Sequence, residues 1–270
     1  PSVPPKADAE TCYGCHDHQP ADPGRNLAEY RRGHLPGAGY LDIDSHLTRP
    51  SGPGRHPLPE PGAFAALLGS LGFSDDDLIV AYDDAAGIYA ARLWWMLRWI
   101  GHPGGRLLDG GMAAWAAAGL PLATAEPGLP PATVTVRPGP TRQIDRQALQ
   151  PLLGSVTLLD ARASDRYTGE QHPVDPIGGH IPTARSAPTA ENLGADGCFL
   201  PPAELARRYR ALGVGDGATV ASCGSGVTAC HDIAALVLAG FPEPILYPGS
   251  WSDWCTSGLP YATGPEPGSL

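Results

Sequence analysis

Lysine is almost missing from this 270-residue chain: it occurs once, at Lys6, and the other 17 basic residues are arginines. That skew reads as a bias toward GC-rich codons. With 28 acidic residues against 18 basic ones the net charge is −10, and no basic run is longer than Arg31-Arg32. A phosphate-backbone binder needs a positive face that releases counterions, so the balance argues against nucleic acid as a partner. No apolar stretch is long enough to cross a bilayer. Pro1 to Glu10 hold no apolar signal core, so export is not expected and a cytoplasmic location is. Six cysteines are too few for a disulfide scaffold at this length and fit a reducing compartment. Gly and Pro, by contrast, number 35 and 31, a level that approaches low-complexity composition. Against disorder stand a 42% hydrophobic fraction, six Trp and helical periodicity. The chain can bury a core, as one large domain or two medium ones.

An internal repeat with a period of about 140 residues decides between them. Gly33-His34-Leu35-Pro36 returns as Gly179-His180-Ile181-Pro182, and Leu71-Gly72 returns as Leu212-Gly213. Each Leu-Gly leads through a polar turn into a short apolar run, Leu78 to Tyr82 and Ala218 to Ser222, with the character of a buried parallel strand. A Gly-containing loop and a helical segment follow, Ala90 to Ile100 and Thr228 to Ala239, and both helices stop at a glycine, Gly101 and Gly240. Leu107 to Trp115 is then mirrored by Ile245 to Trp254, and both halves reach Gly-Leu-Pro, at Gly119 and Gly258. The expected fold is α/β, two tandem copies of one domain, each a mainly parallel sheet flanked by helices. The expected division is 1–122 for the first copy, a Pro/Gly-rich linker over 123–141, and 142–270 for the second.

The copies differ at one loop. Where the second reads Ser222-Cys223-Gly224-Ser225-Gly226-Val227-Thr228, the first reads Tyr82-Asp83-Asp84-Ala85-Ala86-Gly87-Ile88, so Asp83 stands at the Cys223 position. A carboxylate can fold such a loop but cannot serve as a thiol nucleophile, which makes the second copy the catalytic candidate. Cys223 falls at the end of a buried strand, two glycines let the backbone curl, and a helix starts near Val227-Thr228. Main-chain N–H groups and the helix N-terminus then favour the thiolate, which is the reactive form. The same cradle would hold a sulfur added to Cys223, with Ser225 and Thr228 supplying hydroxyls.

The order Gly-His-Ile-Pro, strand, Cys-Gly-Ser-Gly-Val-Thr-Ala, helix, Gly-Ser-Trp, with a degenerate first copy, resembles the tandem-domain rhodanese sulfurtransferases. The Cys223 to Ala229 loop is similar to that of their 3-mercaptopyruvate sulfurtransferase branch. The resemblance implies sulfur transfer from 3-mercaptopyruvate through a Cys223 persulfide to cyanide, small thiols or reduced thioredoxin, in a monomer without cofactor or metal. It also implies a relay of Ser225, His56 and Asp44, a loop of Gly224, Gly226, Val227 and Thr228 that binds substrate, and Arg166 as the grip on a donor carboxylate. Thiosulfate ranks second as donor, because the loop carries no Lys or Arg to balance a dianion.

Three departures from the family pattern stand out. No second substrate arginine occurs in Glu170 to Pro176, Thr183 stands where glycine is usual, and Thr11 to His18 lies where the first apolar strand should run without reading as one. On their own residues the site candidates have plainer readings: Ser225 as a loop-folding hydroxyl, Arg166 as an ion pair, His56 as a surface histidine, Asp44 as a turn or interface carboxylate. His34 and His180 are expected to be structural, Trp94, Trp95 and Trp99 to pack, and Cys230 to be buried. Cys12-Tyr13-Gly14-Cys15-His16 has the form of a haem attachment site and, with His18, could suggest zinc, but an irregular segment is the expectation. A cysteine phosphatase would need arginine at Ala229, and a non-catalytic persulfide carrier is the remaining alternative.

Overall fold

The computed structural model describes residues 11–15 and 25–269. Two sheets organise it, with all neighbouring strands parallel. The first comprises β1 (Thr11–Cys15), β2 (Gly39–Tyr40), β3 (Ile79–Asp83) and β4 (Gly105–Leu107), in the order β2-β1-β3-β4. The second comprises β5 (Arg142–Gln143), β6 (Thr157–Asp160), β7 (Arg185–Ser186), β8 (Thr219–Ser222) and β9 (Ile245–Leu246), in the order β5-β9-β8-β6-β7. Taken from the β7 edge, and up to β9, the second order repeats the first. This is the α/β fold of two equivalent, helix-flanked parallel sheets that the repeat implied. The apolar runs become central strands: β8 is buried at all four residues and pairs with β6 on one side and β9 on the other.

Thr11–Cys15 corrects the expectation of an irregular segment. It is a strand, set between β2 and β3, with Tyr13 opposite both Gly39 and Ala81. A central strand is held by main-chain bonds to neighbours on both sides, so weak intrinsic β-propensity is overridden by its place in the sheet. The side chains of Cys12 and Cys15, with His16 to His18, lie outside the described residues.

The repeated Gly-His-x-Pro is a tertiary clasp. His34 Nδ1 meets Tyr30 O at 2.8 Å and Nε2 meets Ala125 O at 3.2 Å, with its ring stacked on Tyr30 at 4.0 Å. His180 repeats this on Tyr167 O at 2.9 Å, Glu266 O at 3.0 Å and the Tyr167 ring at 3.7 Å. Both histidines pin the segment that follows the last strand of their copy, through the bridges His34–Ala123 and His180–Ala262. The Pro-rich stretch after Ala123 stays on the first sheet's layer: Ala132 N donates to Gly69 O and Arg137 N to Ile100 O, both at 2.8 Å.

Thr183 explains its own oddity. Its φ is +70°, a region that suits glycine and strains a β-branched residue, and its Oγ1 is buried without a hydrogen-bond partner among the described residues. Thr183→Gly is therefore expected to stabilise the fold by about 1 kcal/mol, the relieved strain exceeding glycine's greater unfolded entropy. Urea unfolding measures it, and a loss of stability would contradict the strain.

The two copies meet through equivalent helices, Ala90–Trp99 and Ala229–Leu238, each buried along its first eight residues. One core cluster runs across the contact, from Leu93, Trp95 and Leu97 to Cys223, Val227, Cys230 and Ile233. Helices buried on all sides should be apolar all round, and the exceptions are informative. Arg92, third in its helix, donates through Nη1 to Gly226 O at 3.0 Å. His231, third in the other, meets Ala86 O through Nε2 at 3.2 Å. Gly226 and Ala86 each stand three residues after the end-of-strand position, Cys223 or Asp83. Each copy thus holds the other's loop by the same carbonyl.

His231 and Asp232 titrate in opposite senses. Burial pushes the Asp232 carboxyl up to about 7, against the pull of Arg208, Asn192 and Tyr209. Burial also takes the His231 imidazole down to about 4. Above pH 4 the folded chain keeps a proton on Asp232 that the unfolded chain releases, so this group costs stability as pH rises toward 7. Folded His231 lacks a proton that the unfolded chain holds up to 6.5, so it adds stability as pH rises from 4 to 6.5. The two slopes largely cancel. His231→Gln is expected to leave the Asp232 slope exposed, with unfolding free energy falling from pH 4 to 6.5 more steeply than in wild type; parallel profiles would contradict this pairing.

Candidate functional site

Strand β8 ends at Ser222, and the chain turns sharply through Cys223-Gly224-Ser225-Gly226 before the helix at Ala229. The turn needs glycine at 226, where φ is +77° and a Cβ would meet Pro248 O at 2.4 Å. This curl aims two main-chain N–H groups at the sulfur: Gly226 N lies 3.1 Å and Ser225 N 3.4 Å from Cys223 Sγ. Both favour negative charge there. The outside of the turn is held by the Gly-Ser-Trp segment. Trp251 N donates to Cys223 O at 3.0 Å, Ser252 N to Gly224 O at 2.9 Å, and Cys223 N to Ser250 Oγ at 3.0 Å. Ser250 itself takes φ +53° to make these contacts, an unusual conformation for a side-chain-bearing residue.

In the first copy the loop is filled by its own side chain. Asp83 accepts from Ala85 N and Gly87 N through Oδ1, and from Tyr89 N and Ala90 N through Oδ2, at 2.7 to 3.0 Å. The donors that converge on a sulfur in one copy close on a buried carboxylate in the other.

Cys223 opens onto a cavity of about 590 Å³ between the copies. The second copy lines it with Gly224, Ser225, Val227, Thr228 and Arg166, and the first with Asp44, Arg55, His56 and Tyr89. His56 Nδ1 lies 2.7 Å from Ser225 Oγ, and its Nε2 lies 3.1 Å from Asp44 Oδ1. The Asp44 side chain is 53% exposed against 13% for His56, so the second link is open to solvent. Every candidate residue converges here except Gly226, which sits behind the sulfur and gives its carbonyl to Arg92. Ala229 is fully buried as the first helical residue, so nothing cationic closes the loop from within.

Three residues were missed. Arg55 and Arg166 both reach Asp175, whose side chain is 1% exposed: Arg55 through Nη1 to Oδ1, and Arg166 through Nη2 to Oδ2 at 3.1 Å. A second guanidinium is therefore present, brought by the first copy and not by Glu170 to Pro176. Arg92 is fully buried, and besides Gly226 O it donates to His56 O at 3.0 Å and Leu47 O at 3.5 Å. Its signal was a lone charge in the apolar run Ala-Ala-Arg-Leu-Trp-Trp.

The remaining cysteines are of another kind. Cys230, packed against Arg92 and bonded to Gly226 O, has its thiol pushed up to about 12 by burial, and burial also raises Cys198 and Cys255. Among the described residues no group of three or more His, Cys, Asp or Glu is arranged to hold a metal ion, and no helix is long and apolar enough to cross a membrane.

Known proteins share the sequence and fold of this chain. The rhodanese-like domain matches twice, over residues 24–118 and 145–257. The chain is 48% identical to the probable 3-mercaptopyruvate sulfurtransferase of Pseudomonas aeruginosa over 252 residues, covering 90% of this chain and 89% of that one. It is 38% identical to the putative thiosulfate sulfurtransferase SseB of Mycobacterium tuberculosis, over 84% and 82% of the two chains. In three dimensions it superposes on the crystal structure of SseA from Escherichia coli, a 3-mercaptopyruvate sulfotransferase, with a TM-score of 0.79 at 32% identity over 90% and 92%.

Proposed function

Since the chain belongs to the rhodanese family, as a two-domain sulfurtransferase, we propose that its donor is 3-mercaptopyruvate and that Cys223 carries the sulfur. The observation that supports this reading most is the ring formed by Cys223 Sγ, two loop amides and the Ser225–His56 pair at 2.7 Å. In the first half-reaction the Cys223 thiolate attacks the donor sulfur, and the carbon–sulfur bond breaks toward the ketone, leaving the enolate of pyruvate. The proton of the donor thiol passes through Ser225 and His56 to the enolate carbon, with Asp44 orienting the imidazole. Pyruvate departs and the persulfide anion rests against the amides of Ser225 and Gly226. In the second half-reaction a thiophilic acceptor (cyanide, a small thiol or reduced thioredoxin) attacks the outer sulfur, and the Cys223 thiolate leaves.

Gly224, Val227 and Thr228 form the wall that the donor meets, and Arg166 grips its carboxylate, a task suited to a guanidinium fork. In this division residues 1–122 form the supporting copy, 123–141 the linker and 142–270 the copy that bears the nucleophile. The protein works as a monomer in the reducing cytoplasm, where a free thiolate persists. With cyanide as common acceptor, kcat/KM for 3-mercaptopyruvate is expected to exceed that for thiosulfate by about tenfold or more, since one guanidinium contact to a carboxylate is worth that much. The reverse order would move the donor assignment to thiosulfate.

A further inference from the structure

Ser252 does not line the cavity, yet it holds both halves of the site. Its main-chain N–H donates to Gly224 O at 2.9 Å. That carbonyl shares a peptide group with Ser225 N, which faces Cys223 Sγ at 3.4 Å. The buried Ser252 hydroxyl reaches the other way, into the first copy. Its Oγ accepts from Arg55 N at 3.0 Å while donating to Gly249 O at 3.1 Å. One residue thus carries the Cys223 loop on its main chain and the neighbour of His56 on its side chain.

The approach is close because Gly54 permits it. Gly54 adopts φ +77°, and a Cβ there would lie 2.5 Å from Gly249 O and 2.9 Å from Ser252 Oγ. Beyond Arg55, His56 O is held by Arg92 Nη2 at 3.0 Å. The segment is therefore pinned at Arg55 N from the second copy and at His56 O from the first, which leaves the imidazole little besides side-chain rotation. In that setting His56 Nδ1 lies 2.7 Å from Ser225 Oγ. Ser225 hangs from the same residue through Gly224 O, so Ser252 fixes both ends of that hydrogen bond in one frame.

We infer that Ser252 is a positioning residue that registers the His56 segment of the first copy against the Ser225 loop of the second, and that turnover depends on it only when the leaving group must take up a proton. The inference rests on the relay assigned above to 3-mercaptopyruvate. With that donor the carbon–sulfur bond breaks as Cys223 takes the sulfur, and the enolate carbon gains the proton of the donor thiol to leave as pyruvate. Thiosulfate makes a different demand. Attack on its outer sulfur breaks the sulfur–sulfur bond, and sulfite departs with the electron pair and no proton. A displaced His56 therefore slows the first donor, since proton transfer needs hydrogen-bond reach, and spares the second.

The test is thiocyanate formation at saturating donor by wild type, Ser252→Ala, Gly54→Ala, His56→Ala and the Ser252→Ala/His56→Ala double variant, with thermal melts confirming that each is folded. Ser252→Ala keeps the main-chain bond to Gly224 O and removes only the hydroxyl. Its kcat with 3-mercaptopyruvate is expected to fall about tenfold, and with thiosulfate to change less than about twofold. Gly54→Ala, which pushes the segment off from the opposite copy, is expected to show the same donor-selective loss. In the His56→Ala background, removing the Ser252 hydroxyl is expected to cost nothing further. An unchanged kcat with 3-mercaptopyruvate in Ser252→Ala, an equal fall with both donors in either single variant, or a further loss in the double variant overturns the inference. Failure of the relay reading looks different: His56→Ala as active as wild type on 3-mercaptopyruvate, or wild type inactive on it. The anchor is then judged by amide hydrogen exchange at Arg55, expected to be about tenfold faster in Ser252→Ala, an unchanged rate overturning it.

Discussion

Replacing Cys223 by serine is expected to reduce sulfur transfer to background with every donor while the protein stays folded. The hydroxyl would still accept from the amides of Ser225 and Gly226, which stand 3.4 and 3.1 Å from the sulfur. Little volume is removed from the buried site, so the stability change should stay within about 1 kcal/mol. What disappears is the polarizable anion that can both attack sulfur and carry it. Cys230 cannot substitute. Its thiol is pushed up to about 12 and its hydrogen bond runs to Gly226 O, away from the cavity wall. Transfer activity retained in Cys223→Ser, measured as thiocyanate formed from either donor, would contradict the assignment of the nucleophile.

Arg92→Leu is expected to damage both fold and activity, although Arg92 does not line the cavity. Its guanidinium satisfies three carbonyls at once, from Gly226 in the loop, His56 in the relay segment and Leu47. Leucine would leave these acceptors buried and unpaired at the contact between the copies. Against that stands the relief of a buried charge, since burial already drags the guanidinium below its usual range. Charge-assisted bonds to three acceptors outweigh the relief, giving a net loss of roughly 2–4 kcal/mol in urea unfolding. The loop amides and His56 lose a common tether, so kcat should fall at least about tenfold with saturating donor. A variant with wild-type stability and turnover would show that the copies need no such anchor. The reciprocal contact, His231 to Ala86 O, gives the loop of the supporting copy the same treatment.

What the sequence revealed was whatever is local or repeated. The proposed nucleophile, its glycines and the helix start occupy seven consecutive residues, Cys223 to Ala229, and the contrast with Asp83 needs only the two copies laid side by side. The same repetition exposed His34 and His180, whose equivalent clasps account for both. What stayed hidden depends on partners far along the chain. Thr11–Cys15 is a strand because Gly39 and Ile79 lie beside it, which its own residues do not announce. Arg55 acquires meaning from Asp175, 120 residues later, and sits in a stretch with neither helical nor strand periodicity. Arg92 reads as a lone charge on an apolar helix, and only the contact between copies turns it inward. Thr183 was visible as a departure from glycine, but its cause, a φ of +70°, belongs to the backbone.

The most direct test is the mass of the Cys223 peptide after the protein is mixed with 3-mercaptopyruvate and no acceptor, then digested under non-reducing conditions. One added sulfur atom on that peptide, lost again on addition of cyanide, is the expected result. An unmodified Cys223 peptide while pyruvate accumulates, or the extra sulfur found on Cys198, Cys230 or Cys255 instead, would contradict transfer through the Cys223 persulfide.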